Sequence, residues 1–433
     1  MIAEGDYRTI RVAVLADEPL GWGSGKHFFL ALLQGYSWTA KGIRYQVAAE
    51  YLTDRDILQG RLTVEAFDVL LVPGGGVGDG HAITKGFVCI PRVRRWKKNI
   101  TSYIKNGGGY VGICGGAALM TDLQTKEGKP RIFLERQYQK SALGVSCVSS
   151  YYRSFAFPLM YPFQRSHPEA VGAAAYVFSF APGKTIDGAW AHTGGAPIDF
   201  RINTHDPLFS DAEPVERIRW WGGPGLIVPE HPDREVRVLA WYPEMELSAN
   251  PATRVYAWRY IGGVGGLVKA VFNAFRLVKK EHGPLKKILL YSFYLAGGWQ
   301  KTDRVIDVDQ ANRPAITAEV YPNANKAHIL LCTAHPEYMK WDQGHIQENS
   351  REESTCIGNG FRRWEDVDAL GTLVDFQVTA TWWMVRRFVA WAAKVPDDAL
   401  PPIESGVLSE ADRKQLLPYV VWDGSCSNQF LTI

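Results

Sequence analysis

The chain has 433 residues, 46% of them apolar and 21% charged, and a formal net charge of +3. That suffices for a large buried core in one elaborated domain or two. The six cysteines (Cys89, Cys114, Cys147, Cys332, Cys356, Cys426) form no C-x-x-C pair, which excludes a zinc ribbon or disulfide framework and suits a reducing compartment. The polar, acidic start Met1 to Asp6 is no signal sequence, and no uncharged run reaches the roughly 18 residues of a membrane span. The expectation is therefore a cytoplasmic protein with no metal, organic cofactor or nucleic-acid partner, acting on a small molecule. Composition leaves its oligomeric state open.

In chain order, short apolar runs near 10–16, 44–50, 67–72 and 109–113 predict strands, with helices near 25–36 and 91–106 between them. This alternation predicts right-handed crossovers, a parallel sheet, and a site at the carboxyl ends of its strands. Gly23-Ser24-Gly25-Lys26 imitates a phosphate loop but lacks the Gly five residues before Gly25, and His27 stands where Ser or Thr would bind magnesium. Gly107, Gly109 and Gly112 match a dinucleotide fingerprint as a string. They lead into a strand, whereas the fingerprint's glycines must follow one and open a helix.

Gly112-Ile113-Cys114-Gly115-Gly116 follows Gly109-Tyr110-Val111 and precedes the apolar run from Ala117 to Met120. It reads as strand, sharp turn, helix. A nucleophile on such a turn needs small neighbours because its backbone is strained, and the helix behind it aims N–H groups at the sulfur. Further along, Ala174–Phe178 and Val236–Tyr242 are strand candidates among Gly-, Pro- and aromatic-rich loops. His167-Pro168-Glu169 has no buried strand before it.

Residues 246–311 separate that last strand from another at Pro314–Val320 and read as a basic, helical insertion. Between Arg254 and Arg304 ten Lys or Arg face two acids, a net +8 where the whole chain carries +3. Val264, Leu267, Val268, Val271, Phe275 and Val278 form one helical stripe, with Lys269, Asn273, Arg276 and Lys280 opposite. The ordinary expectation is a hairpin packed on the domain with a solvated basic face. The rivals are an anionic membrane surface met through 264–287, a subunit contact and an acidic substrate.

Next, Ile329-Leu330-Leu331-Cys332-Thr333-Ala334-His335-Pro336-Glu337 predicts a buried strand delivering a His and, two residues on, a Glu. An imidazole can take a thiol proton, and a carboxylate can fix its tautomer and stabilise the imidazolium. Trp341 to Asp366 reads as a polar loop, Leu370 to Lys394 as a helix packed at the sheet edge, and 401–433 as an extension with a short helix at Ser409–Leu417.

The order cysteine elbow, then strand-His-x-Glu, resembles class I glutamine amidotransferase-like proteins. Within them the chain is most similar to the amidotransferase-like N-terminal domain of biotin-protein ligases and its free-standing microbial relatives. That resemblance rests on Val72-Pro73-Gly74-Gly75, on Tyr103 to Cys114, and more weakly on Trp220-Trp221-Gly222-Gly223-Pro224, over about 8–245 and 312–340. No Gly-Arg-Gly-Arg type motif is present, so biotinylation is not implied. Glutaminases usually follow the cysteine with a Leu-Gly-His/Gln type run, where this chain has Gly115-Gly116-Ala117-Ala118.

The resemblance implies an α/β fold with a doubly wound, mostly parallel sheet, a flavodoxin-like three-layer sandwich carrying a helical insertion. The amidotransferase-like domain would span 1–245 and 312–400. It also implies a cysteine hydrolase or amidotransferase-like enzyme with Cys114 as nucleophile, His335 as base and Glu337 as orienter. Gly75 and Gly115 would supply the oxyanion hole, with Glu18, Gly74, Gly76 and Gly223 lining the site. Ammonia transfer would require a synthetase or other partner subunit. Two alternatives are a non-catalytic ligand-binding or regulatory protein on the same scaffold, and a ThiJ/PfpI-like thiol enzyme in which Glu18 contacts the cysteine.

Overall fold

Along Tyr7–Leu15 (β1) the side chains divide between two cores: Ile10, Val12 and Val14 enter one, Ala13 and Leu15 the other. A strand buried on both faces reads as a continuous apolar run and belongs inside a three-layer sandwich. The computed structural model describes residues 6–16, 25–74, 90–124, 139–140, 142–151, 169–170, 177–180, 192–194, 196–220, 223–250, 255–260, 299–306, 309–338, 340–341, 345–348, 362–365, 378–404, 406–409 and 411, with 264–265, 268–269, 271–272 and 275–276.

Among the described residues the main sheet has ten strands. After β1 come Ser37–Ala40 (β2), Ile43–Leu52 (β3), Val69–Val72 (β4), Gly109–Ile113 (β5), Ala196–Ile202 (β6), Val215–Trp220 (β7), Val236–Trp241 (β8), Pro314–Val320 (β9) and His328–Cys332 (β10). Their spatial order is β7-β6-β8-β9-β10-β5-β4-β1-β3-β2. The central five, β10-β5-β4-β1-β3, are parallel, and antiparallel strands flank them on both sides. From β3 to β10 this is the doubly wound order 2-1-3-4-5, whose direction reverses beside β1 and β4.

Gly25–Leu33 (α1) and Trp382–Ala392 (α5) cover one face, through Phe28, Phe29, Trp383 and Phe388. Asp54–Leu58 (α2), Pro91–Lys105 (α3) and Gly115–Met120 (α4) cover the other, through Ile57, Trp96, Ile100 and Met120. A reciprocal capping box, Thr53 with Asp56, starts α2, and the Thr53 hydrogen bonds lower the Asp56 carboxyl to about 2. Pro91 starts α3, whose missing N–H is harmless in a first turn. The glycines at 107, 109 and 112 do lead into β5, so the dinucleotide fingerprint fails on context.

Several expectations need correction. The strand near 44–50 is half of a hairpin: Lys41 and Gly42, both at positive φ (52° and 76°), turn β2 onto β3. The stretch 341–366 is not all loop. Its His345–Glu348 and Arg362–Glu365 pair with each other, and the latter runs parallel to Val177–Phe180. Within the helix expected over 370–394, Val378 and Thr379 are strand and α5 begins at Trp382.

That helix lies over the sheet, against β10, β5 and β4, rather than at an edge. Its buried Arg387 donates to the carbonyls of Pro401, Leu208 and Ser210, which gives a guanidinium a place inside the core. Leu208 and Pro401 are thereby tied to this helix, and Glu404 pairs with Arg386. The helix expected at 409–417 lies almost wholly outside the described residues.

Strands β8 and β9 are antiparallel neighbours although 246–311 separates them. The arms of that segment are strands, Val255–Tyr260 paired with Trp299–Ile306, and the first also pairs with Glu169–Ala170. The described residues at 264–265, 268–269, 271–272 and 275–276 are helical. They are exposed, so the expected burial of the apolar stripe against the domain does not occur there.

Candidate active site

Sheet register decides which residues meet. Cys332 of β10 is level with Ile113 of β5, and Val72 of β4 is level with Gly112. The three parallel strands therefore end together, and the next residues (Pro73-Gly74, Cys114, and Thr333 to Glu337) emerge at one sheet edge. This is where a doubly wound fold places ligands.

Cys114 joins β5 to α4 with φ 49° and ψ −105°, far from the usual conformations of a non-glycine residue. Its N–H donates to the Cys332 carbonyl at 2.6 Å, and its carbonyl accepts from Ala118. The tight turn depends on missing side chains. A Cβ on Gly112 would lie 2.6 Å from the Gly116 carbonyl oxygen, and one on Gly116 would lie 2.1 Å from that of Val72. Because that neighbour is backbone of a buried strand, Gly116→Ala should cost about 3 kcal/mol in stability, read from the denaturant midpoint at constant m-value.

His335 follows β10 by three residues, and its backbone N–H donates to the Arg219 carbonyl on β7 at 2.7 Å. Its Nδ1 is 2.7 Å from Glu337 Oε1, both side chains being buried. The ring lies flat on Tyr338, with centroids 4.8 Å apart and planes within 6°. Gly74 stands beside both thiol and imidazole: a Cβ there would be 2.4 Å from His335 Cε1 and 3.0 Å from Cys114 Cβ.

Burial alone would push the His335 imidazole down. The Glu337 and Cys114 charges, with hydrogen bonds to both groups, outweigh it and raise the imidazole to about 10. Burial pushes the Cys332 thiol up, and burial together with Glu319 raises that of Cys147 to about 12.

The turn carrying the histidine is pinned by residues that no local sequence signal singles out. Trp382 Nε1 donates to the Glu337 carbonyl at 2.9 Å, and Thr381 Oγ1 donates to that of Pro336. Beneath it, the Tyr242 and Thr333 hydroxyls are 2.8 Å apart, and Tyr242 also reaches the carbonyl of Gly223. Gly223 passes so close to Thr333 that a Cβ would meet its carbonyl oxygen at 1.9 Å. Each partner is remote in sequence, so only the fold unites them.

The structure thus brings together Cys114, His335, Glu337 and Gly74, with Gly115 opening α4 and Gly223 under the histidine strand. Glu18, Gly75, Gly76 and His167 lie outside the described residues. Among the described residues, no group of three or more His, Cys, Asp or Glu is placed to hold a metal ion.

No family model and no curated protein matches the chain. Among solved structures, it is similar to a putative GMP synthase subunit from Thermoplasma acidophilum, at 9% identity and TM-score 0.33, over 89% of this chain and 96% of that one. A putative ThuA-like protein from Bacteroides uniformis matches at 10% identity and TM-score 0.29, over 77% and 84%. A glutamine amidotransferase from Thermotoga maritima matches at 10% identity and TM-score 0.27, over 65% and 90%.

Proposed function

We propose that the chain is a cysteine-nucleophile hydrolase or amidotransferase-like enzyme acting on an amide or related carbonyl through a covalent thioester. What carries the reading is one juxtaposition: Cys114 on a strained strand-to-helix turn, beside an imidazole whose proton Glu337 holds at 2.7 Å. The finer kinship to the amidotransferase-like domain of biotin-protein ligases belongs to the same proposal. So does the division into an enzyme domain of 1–245 with 312–400, an insertion of 246–311 and an extension of 401–433.

In this mechanism Cys114 Sγ, as thiolate, attacks the carbonyl carbon while His335 carries the thiol's proton on Nε2 and donates Nδ1–H to Glu337. The backbone N–H groups of Gly75 and Gly115 take the oxyanion. Collapse breaks the carbon–nitrogen bond, and the amine leaves with the proton from His335. Water then gives a proton to His335 and its oxygen to the thioester, which releases the acid and regenerates the thiol. If ammonia is passed on rather than released, a synthetase partner subunit receives it.

The test is intact mass and product release with p-nitrophenyl acetate. Expected are a burst of nitrophenolate and an acetyl adduct that maps to Cys114 and is absent from Cys114→Ser. A protein that forms no adduct at Cys114, and whose alkylation there is indifferent to His335→Ala, would instead be a ligand-binding relative on this scaffold. Dependence of Cys114 alkylation on Glu18 rather than His335 would favour the ThiJ/PfpI-like alternative.

A further inference from the structure

The helical residues Val264, Val268, Val271, Phe272 and Phe275 are 79%, 56%, 50%, 68% and 47% exposed. At about 100° per residue they fall in one stripe roughly 100° wide, with Lys269 and Arg276 turned about 100° away on the basic side. Exposed single apolar side chains are ordinary, but five on one helical face mark a surface that something covers. The +8 carried between Arg254 and Arg304, in a chain whose remainder is net acidic, decides what that is.

A second copy meeting the first through a two-fold axis would set this basic segment against itself. An anionic lipid surface complements both parts. Its acyl boundary receives Phe272, Phe275 and the valines, while Lys269 and Arg276 reach the headgroups. Lys279, Lys280, Lys286 and Lys287 continue the basic sequence, and six cations in so short a stretch are the composition that binds acidic lipids. Among the described residues no helix is long and apolar enough to cross a membrane. We propose that the helical residues Val264, Val268, Val271, Phe272 and Phe275, with Lys269 and Arg276, anchor this protein to anionic membrane surface.

The proposal is independent of the chemistry at Cys114. Its test is flotation of the full chain with vesicles of phosphatidylcholine, with and without phosphatidylglycerol. Flotation is expected only with phosphatidylglycerol and should fall severalfold as salt is raised. Lys269→Glu with Arg276→Glu, and separately Phe272→Ser with Phe275→Ser, should each lower binding about tenfold or more, with alkylation of Cys114 unchanged. Should the serine variant misfold, the two lipid compositions decide with the natural chain alone. Absence of binding, or equal and salt-insensitive binding to both vesicles, overturns the proposal. So does a concentration-dependent dimer that Phe272→Ser disperses while no lipid is bound.

Discussion

His335→Ala is expected to lower acyl transfer from an ester probe by about four orders of magnitude and alkylation of Cys114 at neutral pH by about 30-fold. The two figures have different origins. Loss of the base removes proton transfer in both halves of the reaction, and members of such a triad act as a unit. The alkylation figure follows because an ordinary thiol, titrating near 8.5, is only a few per cent thiolate at neutrality. The pH profile separates this from mere damage. With the imidazole raised to about 10, it stays cationic beside the sulfur through neutrality and loses its proton only as pH climbs toward that value. The pH profile of Cys114 alkylation should therefore change shape when His335 is replaced, because the cation beside the sulfur is lost. Parallel profiles in the two proteins would remove His335 from the chemistry.

Gly74→Ala is the second large effect, aimed at geometry rather than proton transfer. The new methyl would sit 2.4 Å from His335 Cε1 and 3.0 Å from Cys114 Cβ. The imidazole cannot easily yield, because Glu337 holds one edge at 2.7 Å and Tyr338 lies flat against one face. Either the ring turns off Glu337 or the loop after β4 moves away from the thiol. Misplacement of that size costs about 100-fold in acyl transfer, and the overpacking about 1–3 kcal/mol in stability. Gly265→Ala, where nothing lies within 4 Å, should change neither quantity. A Gly74→Ala protein with full reactivity at Cys114 would mean that the loop relaxes freely and does not shape the site.

Much of this was written locally. The apolar runs of β1, β4, β5 and β10 are continuous because both of their faces are buried, so period and composition alone mark them as inner parallel strands. The elbow was legible because a strained cysteine needs glycines at fixed offsets, and His335-Pro336-Glu337 because one turn holds imidazole and carboxylate together. Sequence logic failed where the controlling partner is remote. The hairpin of β2 and β3 turns on Lys41-Gly42, a weaker signal than Asn-Gly, and the strands at 345–348 and 362–365 depend on neighbours in the four-stranded sheet. An amphipathic stripe such as 264–275 has the same periodicity whether it faces a core or a lipid.

By itself, then, the sequence determined the fold class and the inner strands, and it singled out Cys114, His335 and Glu337 as candidates, because each follows from short-range spacing. Only the tertiary structure decided that Cys114 and His335, 221 positions apart, share one sheet edge, through the level registers of β4, β5 and β10. It also set burial of the His335 imidazole against the nearby Glu337 and Cys114, a balance that raises it and that no single stretch of sequence contains.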